Sequence, residues 1–177
     1  MAQSKYRDTF VLKVGVVFFT WSFPLRRTTR DIDLHGQRPD SIEHIEAIVR
    51  EICEQTVHPD GMLFDMNSVT GADIQDRAVN QGIRVRFFGY LGTARMPMQI
   101  DIGFSDILVP PAITVDYPTI LDMPEPHLQA YSWETLIAEK FQAMVFLGSI
   151  NSRMKDFYDV WLLTNEAVID GSILSER

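Results

Sequence analysis

The stretch Arg-Asp-Ile-Asp-Leu at residues 30–34 decides the fold, together with Gln-Ile-Asp-Ile-Gly-Phe at residues 99–104. Both place carboxylates within short apolar runs typical of buried strands, where a carboxylate is rarely found unless it is paired or coordinates a metal. Because residues two apart on a strand face the same way, Asp31 and Asp33 can chelate together, and Asp101 on a neighbouring strand can complete the site. Such oxygen ligands suit Mg²⁺ or Mn²⁺, which carboxylates hold in many enzymes of phosphoryl and nucleotidyl transfer.

The same aspartates have a simpler explanation as ordinary ion pairs. The candidate partners are Arg27, Arg30 and Arg84. Structural ion pairs also place carboxylates in clefts, so these residues alone do not separate a metal site from a set of salt bridges.

Composition indicates one globular domain. The chain has 177 residues, of which 46% are apolar and 23% charged, and this is enough for a hydrophobic core. No apolar run approaches the roughly 18 residues of a membrane span, and the N-terminus lacks the apolar segment of a signal peptide, so we expect a cytoplasmic protein with no membrane partner. The net charge of −8 argues against a general nucleic-acid coat, but a local patch at Arg26, Arg27 and Arg30 is compatible with an RNA substrate.

Predicted strands and helices alternate along the chain, which is typical of a mixed α/β fold with helices around one sheet. The best-defined helix begins at Asp40 or Ser41, where a capping side chain precedes isoleucines at helical spacing. The segment 109–126 carries five prolines, so we expect it to be irregular. The expected strands are 10–14, 31–34, 62–66, 83–90 and 98–104, and the other expected helices are 16–22, 133–147 and 153–163.

Four motifs in this order resemble those of the AbiEii/AbiGii toxin family. The first is Phe-Val-Leu-Lys before Gly15, and the two aspartate segments together form the second. The third is Ala-Glu-Lys-Phe-Gln-Ala-Met at 138–144, and the fourth is Asn-Ser-Arg-Met-Lys-Asp-Phe-Tyr-Asp at 151–159. The resemblance implies a nucleotidyltransferase core of the DNA polymerase β-like superfold, with a mixed sheet flanked by helices. We expect a single domain over residues 1–177, as in a shortened member that lacks the family's terminal helical parts.

The resemblance also implies a role for each motif residue. Asp31, Asp33 and Asp101 would hold the metal, and Asp101 would also activate the attacking hydroxyl. Catalysis would further involve Lys140 and Asp156, and the nucleotide would be bound by Lys13, Gly15, Lys140, Arg153, Lys155 and Asp159.

Three of these assignments have alternatives. Lys140 lies in an apolar helical stripe, where a lysine can instead extend to the surface or pair with Glu134 or Glu139. The last motif could be a solvated charged face. Gly15 could instead be a plain turn that ends the strand. The family has a glycine pair there, whose other position is Val14 here, and a β-branched residue disfavours positive φ.

By resemblance, the protein is the toxin of a toxin–antitoxin and phage-defence system that moves NMP from an NTP to an acceptor such as the end of a tRNA. It would form a homo-oligomer or need a cognate antitoxin to stay soluble, since apolar residues around Trp161 continue toward the C-terminus. Phe10 to Phe19 is a second candidate contact. The alternatives are an inactive nucleotide-binding module of the same fold and a metal-dependent nuclease built on Asp101, Glu139 and Lys140. The nuclease needs Glu and Lys on alternate residues of a strand, whereas these two are adjacent on a predicted helix.

Overall fold

A computed structural model of the protein describes residues 1–20, 31–37, 40–57, 60–74, 82–104, 108–119, 121–166, 169 and 171. The strands are β1 (Phe10–Leu12), β2 (Ile32–Gly36), β3 (Met62–Asp73), β4 (Gly82–Leu91), β5 (Ala94–Phe104), β6 (Ile113–Asp116) and β7 (His127–Ala130). The helices are α1 (Val14–Val17), α2 (Ile42–Cys53), α3 (Trp133–Leu147) and α4 (Met154–Glu166), with a 3₁₀ turn at Gly148–Ile150. Among the described residues, no helix has both the length and the apolarity needed to cross a bilayer.

All seven strands form one sheet, in the order β3-β4-β5-β2-β1-β7-β6. The β2–β5 and β1–β7 pairs are parallel, and the other pairs are antiparallel. This confirms the predicted mixed sheet flanked by helices.

Helix α2 forms as predicted, because its ends and its buried face both agree with the sequence pattern. The Ser41 hydroxyl accepts a hydrogen bond from the backbone N–H of His44, which satisfies one free donor of the first turn. The isoleucines at 45 and 48 are buried, and Glu46 accepts a bond from the N–H of Gly71 on β3 at 2.6 Å. Gly71 is needed at this contact, since a Cβ there would lie 2.6 Å from Ile42. Helix α2 therefore covers one face of the β3–β4 part of the sheet.

The central strand β1 and the short helix α1 form the middle of the core. Phe10, Val11, Val17 and Phe18 are all at most 3% exposed. The prediction that Phe10 to Phe19 forms an intermolecular contact is therefore wrong for these side chains, because the chain's own core already covers them. A run of apolar residues predicts burial, but it does not say whether the covering surface belongs to the same chain.

Several element boundaries differ from the predictions. Strand β6 lies inside the proline-rich segment that we expected to be irregular, and β7 was not predicted. Strand β3 continues to Asp73 with a register shift between Asp65 and Thr70, so it is twice as long as expected. Helix α1 runs from Val14 to Val17, and residues 18–20 of the helix predicted over residues 16–22 form turns, while residues 21–22 lie outside the described residues.

Candidate active site

Asp33 and Asp101 lie side by side on adjacent parallel strands. Asp33 on β2 is in register with Asp101 on β5, and Asp31 directly precedes β2. The predicted neighbouring-strand placement of Asp101 is thus confirmed. Burial raises the pKa of the Asp33 carboxyl, and the charges of Asp101 and Asp31 raise it further, whereas those of Lys13 and Lys155 lower it. Two other carboxylates and two lysines therefore act electrostatically on Asp33.

Arg84 binds Asp101 through two parallel hydrogen bonds. Its Nε donates to Oδ1 at 2.7 Å and its Nη2 to Oδ2 at 2.6 Å, from the register position opposite Asp101 on β4. Asp31 accepts a longer bond, 3.4 Å, from Gln99. The ion-pair alternative considered for the aspartates is therefore realised at Asp101 by Arg84, while Arg27 and Arg30 lie outside the described residues.

The donor chemistry of this cluster fits a divalent cation. Its ligands would be carboxylate oxygens on one sheet face, and a cation would relieve the like-charge repulsion that acts on Asp33. In the described part of the chain, no group of three or more His, Cys, Asp or Glu side chains is arranged to hold a metal ion. Both Asp101 oxygens accept bonds from Arg84 instead. The metal assignment of Asp31, Asp33 and Asp101 stays a prediction.

Lys13 and Gly15 connect β1 to this site. The Lys13 backbone N–H donates to the Asp33 carbonyl at 2.8 Å, and the Lys13 Nζ is 3.0 Å from Glu139 on α3. That Nζ also lies 5.4 Å from the centre of the Tyr131 ring. Val14 is the first residue of the four-residue helix α1. A helical residue has negative φ, so valine at the family's glycine position carries no backbone penalty here.

Lys140 is buried between two carboxylates of α4. Its Nζ is 2.8 Å from Asp156 Oδ1 and 2.7 Å from Asp159 Oδ2, and the lysine is 5% exposed. Arg153 approaches the other oxygen of Asp156 at 3.5 Å. The alternative partners considered from the sequence, Glu134 and Glu139, do not form this contact. The third and fourth motifs thus join α3 to α4.

Arg153 and Lys155 remain exposed at the start of α4. Of these two residues, Lys155 is the one whose charge lowers the pKa of Asp33, so its ammonium lies close enough to act on that carboxylate. The solvated-face alternative describes Arg153 and Lys155 but not Asp156 and Asp159, which are buried.

Glu139 and Lys140 are adjacent on a helix, as the argument against a nuclease states, and they bond to different partners. They are consecutive residues of α3, and Glu139 bonds to Lys13 and to the Tyr131 hydroxyl, 2.9 Å away. Lys140 instead bonds to α4.

Sequence reasoning missed two polar neighbours of the site. Gln99 lies two residues before Asp101 on β5, so the strand pattern places it on the same face, but it does not indicate the bond from Gln99 to Asp31. Tyr131 follows β7, and no local pattern could indicate that β7 pairs with β1 beside Lys13.

The fold has relatives of known structure. JHP933 from Helicobacter pylori matches 93% of this chain with a TM-score of 0.57 and 14% identity. An antigenic nucleotidyltransferase-like protein from Paracoccidioides brasiliensis matches 93% with a TM-score of 0.54 and 13% identity. The chain spans 60% of the first structure and 71% of the second. At such identities the likeness shows a shared fold.

Sequence comparison shows the family directly. No curated protein matches the chain. The family described as "Nucleotidyl transferase AbiEii toxin, Type IV TA system" matches residues 1–176, nearly the whole chain. The chain belongs to this AbiEii nucleotidyltransferase toxin family.

Proposed function

We propose that this protein is a metal-dependent nucleotidyltransferase that transfers NMP from an NTP to an acceptor hydroxyl and releases pyrophosphate. The observation that carries the proposal is the register of Asp33 with Asp101, next to Asp31 and within reach of the Lys13 and Lys155 charges. Membership of the AbiEii family supports the same chemistry. Mg²⁺ or Mn²⁺ is the cofactor that the oxygen ligands suit.

In this reaction a bond forms between the acceptor oxygen and the α-phosphorus, and the bond from that phosphorus to the oxygen of the leaving pyrophosphate breaks. A divalent cation, when bound, offsets phosphate charge. Asp31, Asp33 and Asp101 would hold it, and Asp101 would also receive the proton of the acceptor hydroxyl once Arg84 frees one of its carboxylate oxygens. Lys13 and Lys155 offset the charge that develops on the leaving pyrophosphate.

The contact among Lys140, Asp156 and Asp159 acts on the nucleotide indirectly, by positioning the start of α4. Their charged atoms bond to one another, and this buried contact holds the start of α4, from which Arg153 and Lys155 extend. Gly15 also acts on the nucleotide indirectly, because it is buried in α1 and lies two residues after Lys13.

The acceptor is RNA, with the end of a tRNA as the first candidate from the family resemblance, and the biological role is that of the toxin in a phage-defence toxin–antitoxin pair. A cytoplasmic location follows from these substrates.

The antitoxin, or a second copy of the chain, would bind the apolar α3–α4 face. This face consists of exposed side chains on both helices, Phe141, Val145, Phe146, Met154, Phe157 and Trp161. Light scattering checks this part, since a soluble monomer at micromolar concentration without antitoxin would contradict it.

The experiment for the activity is incubation with α-labelled NTPs, total RNA and Mg²⁺. We expect a labelled RNA with the wild type and none with Asp33→Asn or Asp101→Asn, whereas the exposed Asp8→Asn serves as the matched control and stays active. NTP binding without any labelled product would favour the inactive module, and shortened RNA would favour the nuclease.

A further inference from the structure

One face of the β4–β5 hairpin carries arginine and aromatic side chains and leads away from the aspartates. Ile83, Val85 and Phe87 of β4 point into the core. The alternate residues therefore lie on the opposite face, together with their partners in register on β5. Beyond the Arg84–Asp101 pair, this face presents Arg86, Phe88 and Tyr90 on β4 and Arg95 on β5, which we call the arginine–aromatic strip.

Within the described part of the chain, neither arginine of the strip forms a salt bridge. Arg86 and Arg95 are exposed. Arg86 donates to the neutral Gln99 at 3.2 Å, and the guanidinium of Arg95 stacks 3.5 Å from the centre of the Phe88 ring. In a chain with a net charge of −8, two such arginines on one face form a local anion-binding surface.

The strip is continuous with the candidate active site. Gln99 accepts from Arg86 and donates to Asp31 at 3.4 Å, so one side chain contacts both. A strand advances about 3.3 Å per residue, so Arg86 lies roughly 7 Å and Tyr90 roughly 20 Å from Arg84 along β4. That length accommodates several nucleotides of a single strand, whose stacked bases repeat at about 3.4 Å.

We propose that the arginine–aromatic strip binds the single-stranded end of a polynucleotide acceptor and directs its terminal hydroxyl to Asp101. Arg86 and Arg95 contact phosphates, while Tyr90 and the stacked Arg95–Phe88 pair offer planar surfaces to bases. Charge complementarity and contact with Asp31 through Gln99 favour this occupant over an apolar or cationic one. The inference rests on the proposed function, because it assigns the acceptor of that reaction a surface.

The test is direct binding of a fluorescent 12-nucleotide single-stranded RNA, measured by anisotropy over a series of salt concentrations without NTP. For Arg86→Gln/Arg95→Gln we expect affinity to fall on the order of tenfold and the slope of log affinity against log salt to decrease by about 1.4, at roughly 0.7 per phosphate contact to a single strand. For Tyr90→Leu we expect a loss of about fivefold or more with the slope unchanged, because stacking does not release counterions. The control Lys5→Gln/Arg7→Gln removes two exposed charges elsewhere and should match wild type.

Binding and transfer are measured separately, so the two proposals fail in different ways. If the RNA binds through the strip but no label is transferred, the proposed function fails and the surface assignment stands. Unchanged RNA affinity in Arg86→Gln/Arg95→Gln, with circular dichroism confirming its fold, overturns the inference. Absence of RNA binding by the wild type also overturns it, as does a wild type that binds an acidic peptide more tightly than the RNA. A DNA strand of the same sequence, run in parallel, tells whether the ribose hydroxyls contribute.

Discussion

Replacing Lys140 by methionine should destabilise the fold strongly, because it removes the cation from a buried cluster. Lys140 is 5% exposed and bonds to Asp156, also 5% exposed, and to Asp159, which is 0% exposed. Methionine keeps the apolar stem but leaves two carboxylates without this ammonium. Breaking a buried ion pair by removing one partner costs about 3–5 kcal/mol, a large share of the 5–15 kcal/mol that stabilises a typical domain.

Urea unfolding at pH 7, followed by tryptophan fluorescence, measures this loss. The triple variant Lys140→Met/Asp156→Asn/Asp159→Asn should recover much of the stability, since no buried charge then lacks its counterion. Lys5→Met, at an exposed ion pair with Glu51, should change little. If the free energy of unfolding of Lys140→Met were within about 1 kcal/mol of the wild-type value, the reasoning would be refuted. At urea concentrations where Lys140→Met is still folded, its kcat/KM should be lower than that of wild type by roughly two to three powers of ten, because α4 positions the nucleotide in the proposed function.

Three further predictions concern the sheet and the helices. The folded-state pKa of Asp33 is raised, so its contribution to stability is full below the unfolded pKa and is lost as pH rises through the folded one. Asp33→Asn should therefore be more stable than wild type in urea at pH 7, by a margin that narrows toward pH 4. Gly71→Ala should cost about 1–3 kcal/mol in the same assay, because its Cβ would lie 2.6 Å from Ile42. Ser132→Ala removes the N-cap bond to the N–H of Thr135 and should lower Tm by about 2–4 °C, equivalent to about 1 kcal/mol.

The fold was predictable wherever local pattern and burial agree. Helix α2 shows this, since its cap and apolar stripe are consecutive features of one segment. Alternation correctly set the face on which Asp33 and Asp101 each lie, but their meeting also requires β2 and β5 to be neighbours. The sheet order was not predictable, since parallel pairing of β2 with β5 depends on contacts between distant segments.

The missed features depend on such distant contacts. Strands β6 and β7 have four residues each, too few for periodicity to distinguish them from a proline-rich loop. The partners of Lys140 were missed because Glu134 and Glu139 are close in sequence, whereas Asp156 and Asp159 meet it only when α4 packs on α3. Arg84 could be named as a partner for the aspartates, but its bond to Asp101 requires the pairing of β4 with β5.

The parallel pairing of β2 with β5 also determines when this protein can become active during its synthesis. Asp33 and Asp101 are adjacent in the sheet, but two further strands and helix α2 separate them in sequence. At roughly 5–20 residues per second, several seconds pass between synthesis of the first aspartate and synthesis of the second, and Lys155 follows later still. The nascent chain therefore carries an incomplete acidic site until the segment with Asp101 has left the ribosome. The proposed transfer can begin only after that, once the lysine at the start of α4 has also been made.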